Sequence, residues 1–302
     1  LDAGGRLVTR YLERVGTGTL YVDGGYLQGT ENSATFVQNL SSAQVGVRGL
    51  GISAPAGITL TVPQRFVEDS GNPGGGITKQ GAGSVVFTGN NALTGPISVE
   101  QGSLLFQAAA LSNTWNNSVS LTGNGTIGWD GHLATLAQAL QANAKGYLYL
   151  FPSDASANLT IASGSQIGLR PMNSVTYTGT YLPSDGVYRF YTDTGTNIIT
   201  QTIDTGSVEV EGLQNDPYAN GSVLLSGDSR FTGGVTVNSG IFGLLSTNGF
   251  GSAGDVVFKS GTVFRLQSGV SNDFFTSRFK ATQGPVSVQI LDAGLTNTID
   301  LT

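Results

Sequence analysis

The chain has 302 residues, 14 of them basic and 20 acidic, for a net charge of −6; it holds 45 glycines and no cysteine. Charged residues are 11% of the total, against about 25% in a typical soluble domain, and the few Lys and Arg are scattered, which excludes the basic footprint of a nucleic-acid binder. Without cysteine there is no disulfide and no thiolate metal site, and the longest nearly apolar runs, 104–111 and 146–151, fall well short of the roughly 18 residues that a membrane-spanning helix needs.

The chain begins LDAG (1–4), a tetrapeptide that returns at 291–294. It starts on Leu, and no charged-then-apolar leader follows, so it reads as a slice of a longer repetitive protein. Next comes Glu68-Asp69-Ser70-Gly71-Asn72, which offers oxygen ligands of the kind calcium takes. It lacks the spaced Asp array of a dedicated calcium loop, so a polar turn is the expectation. GNPGGG (71–76) reads as a flexible turn.

Residues 83–102, GSVVFTGNNALTGPISVEQG, then align without a gap with 221–240, GSVLLSGDSRFTGGVTVNSG, with 8 of 20 positions identical. Gly83, Gly89, Gly95 and Gly102 fall on Gly221, Gly227, Gly233 and Gly240. Within the windows, apolar residues alternate: Val85 and Phe87, Ile97 and Val99, Leu104 and Phe106, answered by Val223 and Leu225, Val235 and Val237, Phe242 and Leu244. Period two is the strand signature, and each short strand ends at a glycine-bearing corner where positive φ is often needed. Three strand-and-corner steps make a coil of about twenty residues, the size of a solenoid repeat. The predicted fold is all-β, a parallel β-helix built from two units of about 140 residues; tandem β-sandwich domains are the competitor. The units are set at 1–152 and 153–290, with 291–302 opening a further one. LATLAQALQANAKG (133–146) departs from the strand pattern, with Leu133, Leu136 and Leu140 at helical spacing, and predicts a short helix or capping loop.

The run 83–105 resembles the autotransporter-associated β-strand repeat of bacterial passenger regions and giant surface proteins. The matching elements are the TGNN corner (88–91), Thr94-Gly95, the β-branched strand and the closing Gly102; the second copy keeps Thr232-Gly233 and Gly240 but has SGDS (226–229) at the corner. The resemblance implies export across an outer membrane and a β-helical stalk. The C-terminal membrane barrel of that family is absent from these residues.

Candidate catalytic groups are few. His132, the sole histidine, sits beside Asp130 in WDGH (129–132), and its counterpart stretch 267–270 has neither residue. DTG at 193–195 and 204–206 has the form of an aspartic-protease motif, but eleven residues apart is too close for two separate lobes, and the triplet is ordinary turn sequence. Glu209 and Glu211 share a strand face, the spacing of a solvated pair flanking a buried Val210. GYLYLF (146–151) and VYRFY (187–191) alternate aromatics that either line the core or, if exposed, stack on sugars or a neighbouring subunit. No catalytic, cofactor-binding or metal-binding residue is assigned, and no cofactor is expected. The reading is a non-enzymatic, secreted or cell-surface structural protein that forms a stalk, fibre or matrix with copies of itself, is adhesive, and takes glycans as a further partner. A polysaccharide-binding or polysaccharide-cleaving β-helix is the alternative.

Overall fold

The computed structural model describes residues 1–13, 17–107, 109–111, 118–171, 173–212, 221–245, 253–267, 279–281, 286–292 and 295–301. It is 47% strand and 4% helix, and it forms a parallel β-solenoid of about 11 turns. Two compact units divide the chain: Leu1–Tyr149 with Ala162–Ser165, and Leu150–Ile161 with Gln166–Thr302.

In the first unit the chain winds around three faces. One carries Arg6–Thr9, Tyr26–Gly29, Leu50–Ser53, Ile77–Gln80, Ile97–Val99 and Val119–Leu121. The next carries Thr59–Val62, Ser84–Phe87, Ser103–Phe106, Thr126–Trp129 and Lys145–Leu150, and the third Thr19–Val22, Ser42–Val45 and Val67–Glu68. Pairing is parallel and in register: Leu60, Val85, Leu104 and Ile127 form one inward column, each with no exposed surface. Val62, Phe87, Phe106 and Trp129 form the column beside it, with the Phe87 and Phe106 rings stacked at 5.4 Å. Alternation thus places every second side chain in a continuous apolar core.

The second unit repeats this logic. Gln166–Pro171, Val187–Thr192, Ser207–Gly212, Val235–Val237, Val256–Phe258 and Phe279–Ala281 make one face; Thr176–Tyr177, Thr196–Ile199, Ser222–Leu225, Ile241–Leu244, Val263–Gln267 and Val286–Asp292 make another. Leu159–Thr160 pairs with Tyr181–Leu182 on a third. Leu169, Phe190, Val210, Val237 and Phe258 follow one another in register down its core. The strand Leu295–Leu301 pairs antiparallel with Val286–Asp292, which departs from the parallel winding. Parallel ladders with core columns of this kind exclude tandem sandwiches, whose strands pair antiparallel.

The shared glycines divide by cause. Only the closing pair, Gly102 (φ +65°) and Gly240 (φ +83°), takes the left-handed conformation expected of a corner. The other three pairs are forced by close coil-to-coil approach: a Cβ on Gly83 would lie 2.1 Å from the Pro55 carbonyl, and one on Gly221 2.6 Å from the Gly195 carbonyl. GNPGGG is divided in the same way: a Cβ on Gly75 would meet the Gly46 carbonyl at 2.1 Å and one on Gly76 the Pro96 carbonyl at 1.8 Å, whereas Gly71 has room and Gly74 takes φ +97°. The stretch is thus a turn that runs into a packed seam between coils at Gly75 and Gly76.

The expected helix is present as Leu133–Ala139, with Leu133, Leu136 and Ala137 buried. Residues 271–284 lie 138 positions after 133–146, the offset of the two aligned windows; of them only Phe279–Ala281 is among the described residues, as a strand.

Candidate functional surfaces

The corner motif TGNN is explained by Asn91, which is fully buried. Its Oδ1 accepts from Phe66 N at 2.8 Å in the preceding coil, while its Nδ2 donates to the carbonyls of Gly89 and Ala110 at 2.8 Å each, the latter in the following coil. One side chain therefore bonds backbone groups of three successive coils; the Phe66 N–H depends on it, while the Ala110 carbonyl also accepts from the Asn91 N–H at 3.1 Å. In the second copy Ser229 holds the matching place and accepts from Ile203 N at 3.4 Å. The change from Asn to Ser keeps the acceptor and loses one donor.

Of the charged groups singled out in the sequence, Asp193 and Glu209 are engaged in ion pairs. Asp193 of the first DTG accepts from Arg170 Nη2 at 2.7 Å and Nε at 3.1 Å, while Asp204 of the second is exposed. Gly195 and Gly206 both have positive φ, so each triplet is a turn. Glu209 faces outward beside Arg189 (3.2 Å) and accepts from Asn238 at 3.0 Å; Arg189 also pairs with Asp185 at 2.9 Å. Val210 between the two glutamates is fully buried. Glu211 lies beside Tyr191 in register, and Arg170 covers the Tyr191 ring at 4.7 Å.

At 68–72 the oxygens are turned to local bonds. Thr94 donates twice to Glu68 Oε1, at 2.7 and 2.5 Å, and Asp69 accepts from Gly71 N and from Tyr21 OH. Among the described residues no group of three or more His, Asp or Glu is placed to hold a metal ion. His132 stands at the N-cap of the short helix and stacks on Trp129 at 4.1 Å. Of the aromatic runs, Tyr147, Tyr188 and Phe190 are buried, whereas Tyr149 and Tyr191 are half-buried.

One interior charge was not visible in the sequence. Lys79 lies in the column Leu27, Ile52, Lys79, Val99 and has no exposed surface. Its ammonium donates to the carbonyls of Gly81 (2.6 Å), Gln80 (2.8 Å) and Gln101 (3.2 Å). Burial lowers its pKa to about 8. Its place in ITKQ, at an inward position of a strand, was the available signal.

These features define the class: a parallel β-solenoid whose coils are locked by buried corner amides and close glycine contacts. Residues 77–106 and 220–242 match the model of the passenger-associated-transport-repeat, so in these two stretches the chain is similar to the repeats of autotransporter passengers. It is 44% identical over 55 residues to a protein named extracellular serine protease from Serratia marcescens; the aligned stretch is 18% of this chain and 5% of that protein. No solved structure matches. The repeat family and this relative fit an extracellular repeat protein, secreted or at a surface.

Proposed function

We propose that the chain is a structural, non-enzymatic segment of a surface protein on the outer side of a bacterial outer membrane, extending as a stalk, fibre or matrix and serving adhesion. The observation that carries this reading is the use of polar residues. Asn91 and Lys79 bond the backbone of their own and adjoining coils, and Glu209, Asp193 and Glu68 are spent on neighbouring coils. Units of about 140 residues recurring along a longer chain, at 1–152 and 153–290, belong to the same proposal. The match to the extracellular serine protease covers too little of that protein to bring its activity here, and the sole histidine is packed on Trp129.

The test is electron microscopy of the protein at the length the cell makes it. Rods or fibres with a periodic axis are expected, and incubation with casein and with soluble polysaccharides is expected to yield no cleavage products. Compact particles, or turnover that survives purification, would overturn the reading.

A further inference from the structure

The first unit carries an aromatic platform that neither alternating-aromatic run pointed to. Tyr26 and Gly51 are register partners, followed in the same outward column by Thr78 and Ser98. Their chain neighbours Leu27 and Ile52 point inward with no exposed surface. An ideal Cβ on Gly51 would fall 2.3, 2.5 and 2.6 Å from Cδ1, Cε1 and Cγ of Tyr26. Near-equal distances to three adjacent ring atoms place that Cβ above the ring plane, not at its rim. Since the Cβ direction is outward from the sheet, the ring lies flat across Gly51 with one face down, and Tyr26 as a whole is half-buried.

Polar groups border the ring on both sides. Gln80 Nε2 donates to the Tyr26 hydroxyl at 3.2 Å and to Glu100 Oε2 at 3.0 Å. On the other side Arg6 donates to Gln28 Oε1, and Val8, 51% exposed, is the register partner of Gln28. The surface therefore joins a flat apolar ring, two amides, a row of hydroxyls, and one positive and one negative charge at opposite ends.

We infer that this platform binds a neutral glycan, with one pyranose ring laid on the outward face of Tyr26 and the hydroxyls of that ring and of its neighbours in the polymer bonded to Gln80, Gln28, Glu100 and Arg6. A sugar has an apolar face of C–H groups and a rim of hydroxyls, which this surface matches. With one positive and one negative charge the platform has no net preference for an acidic polymer, and its side chains follow one another across successive coils, the direction in which a linear polymer would lie. Gly51 is a positioning residue, since any side chain there would lift the ring. The inference deepens the adhesive reading by naming a partner class.

The experiment is native electrophoresis of the full chain through gels containing hydroxyethylcellulose, laminarin or yeast mannan, with polygalacturonate as the acidic comparison. At least one neutral polymer is expected to retard the protein. Tyr26→Ala should weaken that retardation by about tenfold, Tyr26→Phe should retain most of it, and Gly51→Ala, at a position with ordinary φ, should weaken it with unchanged far-UV circular dichroism. If Tyr26→Ala does not fold, Tyr26→Trp decides, with stronger retardation expected from the larger ring. Retardation by no neutral polymer, by polygalacturonate alone, or equally in wild type and Gly51→Ala would overturn the inference. Fibres seen by microscopy without retardation would leave the structural proposal standing and remove only this site.

Discussion

Two buried side chains set the chemistry at the scale of single residues, and both can be tested through stability. Lys79 has a pKa of about 8 in the fold against 10.5 for an exposed lysine. A base whose folded pKa is lowered disfavours the fold while it is protonated, so below pH 8 the native state bears the whole penalty. Stability is expected to rise as pH goes from about 8 toward 10.5, by on the order of 3 kcal/mol from a gap valued at about 1.4 kcal/mol per unit. Tyr177 and Tyr181 oppose this from above: burial raises both phenols well beyond their ordinary 10.0, so their contribution is lost as pH climbs past that value. Urea midpoints measured from pH 7 to 11 should therefore peak near pH 10, and Lys79→Met should remove the rising limb while keeping the fall. A flat wild-type profile from 8 to 10 would refute the burial of the charge. Asn91→Ala should cost about 3 kcal/mol, since it orphans the Phe66 amide and removes two donated bonds. Asn91→Asp should recover part of that by keeping the acceptor, and a loss under 1 kcal/mol in chemical denaturation would contradict the corner geometry.

Strands were legible in the sequence because period-two alternation needs no knowledge of partners: Val85, Phe87, Ile97, Val99 and their second-copy counterparts all face the core. The shared glycines were legible as corners, but their main cause was not, because the carbonyl that excludes a side chain at Gly83 or Gly76 belongs to another coil. The Tyr26 platform was illegible for the same reason. Its ring is set by Gly51 and Gln80, 25 and 54 residues on, and register between coils fixes that meeting. The distinction yields a prediction at the scale of the element. Gly76→Ala, which has ordinary φ but no room, should disrupt the seam and lower the melting temperature by many degrees. Gly57→Ala, with φ +76° but nothing within 4 Å, should show only the backbone strain of about 1–2 kcal/mol. Differential scanning calorimetry of the pair separates sterics from conformation, and equal effects would show that the coils are not in close contact there.

At the scale of the whole molecule, within each of the two units a coil bonds mainly to the coils before and after it, so the stability of a unit is a sum of coil terms and nearest-neighbour terms. Outward ion pairs contribute little to that sum. Glu209→Gln is expected to change stability by under about 1 kcal/mol, because the Glu209 side chain is a third exposed and Arg189 keeps its second partner, Asp185. Interior changes act locally but strongly. Hydrogen exchange read by mass spectrometry on Asn91→Ala should show protection lost in the coils it joins, around Phe66 and Gln107–Ala110, and retained in Leu159–Tyr181. The reason is that no hydrogen bond of Asn91 reaches beyond its own and the adjoining coils, so the energy it supplies is confined to two seams of the stack. Uniform loss of protection over the chain would mean instead that the interface terms between coils are strong enough for the coils to melt as one cooperative block, and the local reading of Asn91 would fall.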